Sequence, residues 1–304
     1  MYAMSPARAA QAPATRSYRV ARAAGATFSG PLQPLSPDSR EFLSHQLAAT
    51  GRSTRCLDQV SGTGYGRMVE QFVADLAAGT PVDLTVLAHE MPDFVLEQVA
   101  GITAAAATAG APTMFTVTDA GPAAPFAALR LATLFADRQD LAHVVIVAVD
   151  QFRLPYHPLA AVSAQPAGAD SAPATSLRRQ DNVGVAAALL LHRTDDGTAE
   201  RAASLPAVRT VWRAASPSRS TAEVLTSAYE EAVGAERPPS LAVLGPGCAG
   251  WVPPGPTDVR RVAVGRPAAA LWAVVAAATA VPGRGAILVL DVDPGTGDVA
   301  GALL

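Results

Sequence analysis

Few side chains in this 304-residue sequence combine reactive chemistry with useful neighbours. Cys248 lies in "GPGCAG", where no nearby His or Arg stabilises a thiolate. Such a thiol reads first as a small buried hydrophobe and second as a displaced nucleophile. His89 ends the apolar run "VDLTVLAH", with Glu90 and Asp93 close behind. A His among carboxylates suits acid–base work, although a hydrogen-bonded turn uses the same residues. Asp119 precedes a helical pattern, as an acid or base would, or as a cap would. "SGTGYG" (61–66) also precedes a helix, but no apolar strand leads into it and no Lys-Ser or Lys-Thr follows. It therefore does not read as a nucleotide loop. Arg266, beside Pro267, is either a solvated cation or a guanidinium that needs a carboxylate or phosphate partner.

Composition removes several kinds of chemistry. Cys56 and Cys248 are the only cysteines, far apart, which excludes a disulfide framework and a zinc cluster and fits a reducing cytoplasm. No metal or cofactor set emerges. The 23 basic residues are all Arg, so no lysine is available for a Schiff base. A formal charge of -3 argues against nucleic acid, and no apolar stretch reaches membrane-spanning length. The opening segment has no apolar signal core, and residues 1–17 read as a flexible arm. Half of the residues are hydrophobic, which suits a large buried core.

The elements that must position these residues repeat one plan. A strand from Tyr18, a helix over 66–78, the strand 82–89 and an Ala-rich helix over 95–109 come first. The strand "TMFTVT", a helix over 123–137 and the strands "HVVIVAVD" and "VGVAAALLLHR" follow, with a Pro/Ala/Ser-rich loop at 153–180. The second half has strand 207–215, helix 221–233, the strands "SLAVLG", "VRRVAVG" and "GAILVLDV", a helix over 267–281 and the last strand "DVAGALL". Continuous apolar strands alternating with helices imply sheets covered on both faces. Residues 18–195 and 205–304 are thus expected to form two pseudo-duplicated halves of one compact unit, with five α-β-α-β-α layers. In the second half, Pro253, Pro254 and Pro256 replace one helix by a loop.

The stretch "VTDAGPAAPFAAL" (117–129) joins a strand to the central helix of the first half. A helix N-terminus there would stabilise an anion, yet the turn offers only Gly, Pro and Ala. Together with "VDLTVLAHEMPDF", "FADRQDLAHVVIVAVDQFR", "DNVGVAAALLLHR" and "PGTGDVAGALL", it makes the chain after residue 18 resemble the thiolase fold, specifically the ketoacyl synthase III branch. That resemblance implies a Cys nucleophile at the central helix and a His and an Asn on second-half loops. The Cys position falls on Pro122 or Ala123, the His position within Gly245 to Gly247, and the Asn position on Arg266. All three groups are missing, so no catalytic residue is expected.

The branch includes unequal pairs, such as alkylquinolone-forming ketosynthases in which one subunit lacks the triad. The resemblance thus implies a non-catalytic subunit whose partner is an intact ketosynthase III-like homologue in polyketide or related metabolism. Pairing would run through Phe115, Thr116, Val117 and Thr118. Two alternatives stay open: an acyltransferase or thioesterase rewired around Cys248, His89 or Asp119, and a homodimer that binds an acyl carrier protein. Arg266 is expected to close the pocket by pairing with Asp119 or Asp298.

Overall fold

The computed structural model describes residues 17–28, 33–49, 54, 57, 61–90, 93, 95, 99–118, 120–151, 184–194, 207–216, 218–234, 238–255, 258–263, 268–281 and 285–304. The first half runs β1 (Ser17–Phe28), β2 (Gln33–Pro34), α1 (Pro37–Ala49), β3 (Ser61–Gly62), α2 (Tyr65–Leu76), β4 (Leu84–Ala88), α3 (Ala100–Ala106), β5 (Thr113–Val117), α4 (Ala124–Gln139), β6 (His143–Gln151) and β7 (Gly184–Thr194). The second half runs β8 (Arg209–Arg213), α5 (Thr221–Val233), β9 (Leu241–Leu244), β10 (Asp258–Arg261), α6 (Ala268–Thr279), β11 (Ile287–Val292) and β12 (Val299–Leu303).

The strands form two five-stranded sheets of the same order, β5-β4-β6-β7-β1 and β10-β9-β11-β12-β8. In each, the first three strands pair in parallel and the last two pairings are antiparallel. The duplication is therefore strand for strand. Strand periodicity sorts the apolar runs between two cores. On β6, Val144, Ile146 and Ala148 face the middle layer, while Val145, Val147 and Val149 face α2 and α3. The middle layer holds α4 and α6, packed between the sheets around Phe126, Leu129, Trp272 and Val275. Outside the second sheet, α5 packs through Val224, Leu225 and Ala228. Ser220 starts α5 with a capping box, accepting the Glu223 N–H while Glu223 accepts the Ser220 N–H at 2.7 Å. This is a thiolase-like fold of five layers, α-β-α-β-α.

Besides the short β2–β3 pair, which the sequence reading lacks, three elements differ from it. Helix α1 has no counterpart in it, because only Ser39, Leu43 and Leu47 of its 13 residues are buried. Helix α3 is shorter than 95–109. Asp93 pins the preceding segment, accepting N–H from Tyr65 at 2.7 Å and from Val95 at 3.3 Å, and the helix begins at Ala100. Strand β10 covers Asp258–Arg261, earlier and shorter than "VRRVAVG". The loop at 153–180 lies outside the described residues.

Candidate functional site

The turn into the central helix is built from β5 outward. Gly121 has φ 53°, a left-handed conformation that favours glycine. Gly121–Ala123 form a 3-10 turn before α4, and Ala123 is buried. Pro122 and Pro125 carry no backbone N–H, so the helix mouth offers fewer donors to an anion. Among the described residues, no side chain caps α4. Asp293, at the end of β11, brings Oδ2 to 3.5 Å from where a Gly121 Cβ would stand.

The loop after β9 follows the same logic more strongly. Among its described residues it holds no α-helix, only the 3-10 turn Pro246–Cys248. The Asp291 carboxyl on β11 lies beneath it, and Oδ1 accepts N–H from Gly247 at 3.0 Å and from Val292 at 2.8 Å. A Cβ added at Gly245 would overlap that carboxyl, and one at Gly247 would overlap Val292. From outside, Arg261 donates to the carbonyls of Cys248 and Trp251, and Tyr229 donates to Pro254 O at 2.9 Å. The segment is thus clamped onto β11, leaving no room at Gly247 for a projecting imidazole.

A third carboxyl stands at the start of α6. Asp150, at the end of β6, is wholly buried and accepts N–H from Glu90 at 2.8 Å and from Ala269 at 3.0 Å. It links β6, the segment after β4 and a helix of the other half. Burial outweighs both donors and raises its pKa to about 8; the nearby Glu90 charge pushes the same way. Burial also raises Asp291, to about 6, with Asp293 and Glu90 adding to the effect. Acidic groups therefore gather at the turn into α4, beneath the loop after β9 and at the start of α6.

The structure places the sequence candidates as follows. Cys248 is fully buried, its Sγ 3.5 Å from Leu290 O, and burial followed by the Asp291 charge lifts its pKa well above the usual thiol range. It is a packed, protonated thiol. His89 donates its backbone N–H to Val117 O, and its ring lies 5.6 Å from that of Tyr65. The phenol of Tyr65 is held neutral by burial first, then by Asp150, Asp93 and Glu90. Asp119 and Arg266 lie outside the described residues. Asp298, an expected partner for Arg266, accepts the Ala215 N–H at 2.8 Å. The sequence reading missed Asp150 and Asp291, although each puts a charge into an otherwise apolar strand.

Phe115, Thr116 and Val117 lie on β5, the edge of the first sheet, and Thr118 follows directly. Phe115 packs edge-to-face on Phe135 of α4, with centroids 5.9 Å apart. Exposed apolar residues flank the strand: Val99 and Ile102 beside and on α3, and Leu131, Leu134 and Phe135 on α4. Trp212 of β8 extends this side. It pairs with Ala300 on the face that α4 packs against, and it is exposed.

No protein-family model and no curated protein matches the chain. Solved structures do. A variant of Xanthomonas campestris OleA matches with TM-score 0.57 at 15% identity, covering 95% of this chain and 98% of that one. The 3-oxoacyl-(acyl carrier protein) synthase III FabH of Xanthomonas oryzae pv. oryzae gives 0.56 at 15%, with the same coverage. Acetamide-bound OleA gives 0.58 at 15%, again with the same coverage. These likenesses establish a shared fold over nearly the whole length of each protein.

Proposed function

We propose that this chain is a ketosynthase III-like subunit with no condensing site of its own, which pairs through β5 with a catalytically intact homologue. The observation that carries this reading is the clamped loop after β9. Gly247, at the position matching the catalytic His, spends its N–H on Asp291, and Gly245 lies against the same carboxyl. Prolines at the mouth of α4 support it, since an oxyanion needs backbone donors there. The partner, bearing its own Cys, His and Asn, takes an acyl group from a thioester and condenses it with a malonyl-type thioester.

Pairing is supported by the apolar side formed by α3, β5, α4 and Trp212. Edge pairing of β5 with the same strand of a homologue would cover it and join two sheets into one. A second reading, a rewired acyltransferase or thioesterase, draws support from Asp291, a buried carboxyl whose pKa burial raises to about 6. Co-expression with an intact ketosynthase III, followed by sedimentation, tests the first reading. A 1:1 complex is expected, with self-association of the chain alone. A monodisperse monomer that ignores every such partner contradicts it.

A further inference from the structure

Away from the seam between the sheets, three basic side chains stand in a row across the first sheet. Register pairs Arg19 of β1 with His192 of β7, and His192 with His143 of β6. All three face outward. Tyr18 and Val20 on either side of Arg19 pack into the middle layer, whereas Leu190 and Val145, one pleat along from the two His residues, pack into the outer core. The two imidazoles stack, with centroids 4.9 Å apart and planes at 25°. Nε and Nη1 of Arg19 are buried without a hydrogen-bond acceptor among the described residues. His143 is half-buried and His192 exposed, so the row is buried at its guanidinium and open at its imidazoles.

A carboxylate acts on this row at its His143 end. Asp83 Oδ2 accepts N–H from Ala142 and His143, both at 2.9 Å. Arg22, the next outward side chain on β1, donates Nη1 to Leu76 O at 3.1 Å and Ala78 O at 2.9 Å, at the end of α2. Asp75 of α2 lines the open cleft along β1 with Arg22. Arg193, on the opposite face, pairs with Asp140 at 2.6 Å. Burial and then the adjacent His192 lower the pKa of His143, while Asp83 and a hydrogen bond to the Pro81 carbonyl, which occupies one ring nitrogen, act the other way. Guanidinium N–H groups cut off from water call for an acceptor. Two strand spacings, about 10 Å, separate the ends of the row, with the His192 ring between them.

We propose that Arg19, His192 and His143 form a binding site for a tetrahedral oxyanion, the phosphate group of a small molecule. The planar fork of Arg19 supplies the fixed charge, and the imidazoles add donors when protonated. The site is independent of the pairing proposed above.

Titration of the full chain with inorganic phosphate, followed by NMR of the imidazole protons, tests it. Binding is expected to move the resonances of both His residues and to raise the titration midpoint of His143 by about one pH unit. Sulfate, a dianion throughout the range, is expected to bind about tenfold more weakly at pH 8 than at pH 6. Arg19→Gln is expected to weaken phosphate binding at least about tenfold. If that variant does not fold, His192→Gln at the exposed end carries the test, with a loss of about threefold or more. Unmoved imidazole resonances at saturating phosphate, or equal binding by folded variants and wild type, overturn the proposal.

Discussion

Strands β5 and β10 hold equivalent places at the edges of two sheets of the same order, yet they are finished in opposite ways. β5 reads Thr-Met-Phe-Thr-Val, carries no charge and is bordered by exposed Ile102, Leu131, Leu134 and Phe135. β10 reads Asp-Val-Arg-Arg, and only Val259 packs against the core. Arg261 turns back to hold the loop after β9, while Arg260 stays exposed. A charged edge resists strand addition and an apolar edge invites it. Of the four edge strands in the two sheets, β5 and β10 are an equivalent pair, and only β10 of the two carries charge.

The largest expected effect comes from breaking the receptive edge. Phe115→Asp puts a carboxylate into an apolar contact and is expected to weaken pairing by about 2–4 kcal/mol, read as a shift in the sedimentation profile. The matching change on the other edge, Arg260→Asp, is expected to leave pairing within about 0.5 kcal/mol of wild type. Equal effects at both sites would remove the distinction between the edges.

The next effect concerns the seam that both halves share. Asp150 has its folded pKa raised to about 8, above the ordinary carboxylate value of 3.8. Its favourable contribution is complete below the unfolded pKa and is lost as pH rises through about 8. Stability is therefore expected to fall with rising pH, by up to about 1.4 kcal/mol per unit between pH 6 and 8, where Asp291, near 6, has largely finished titrating. Denaturant titrations of wild type and Asp150→Asn at several pH values measure this, and the variant is expected to lose most of the slope.

A smaller, local effect separates packing from chemistry in the clamped loop. In a Cys56→Ser background, Cys248 is expected to resist alkylation of the native protein and to react fully in denaturant, since the thiol is buried and held protonated. Labelling at the rate of a free thiol would reopen the rewired-nucleophile reading.

How much of this was legible in the sequence depended on how local each signal was. Strands buried on both faces announce themselves as apolar runs, and Thr221–Val233 is legible because its apolar stripe lies within the helix. Helix α1 lacked such a stripe. The loop after β9 is readable because closely spaced prolines exclude a helix interior. What clamps that loop was not readable: Asp291 is 44 residues from Gly247 along the chain, and Asp150 is 119 residues from Ala269. A lone Asp in an apolar run signals that something satisfies it, but only the packing of the two halves says what. The same holds for β5, whose sequence marks it as a strand while its edge position and the exposed flank on α4 come from tertiary structure.

The most direct test of the central claim is intact-mass measurement of both subunits after the purified pair meets an acyl thioester. The account predicts that the partner gains the mass of the acyl group and that this chain stays unmodified. A stable acyl adduct on this chain, lost on substitution of Cys248 or Asp291, would contradict it.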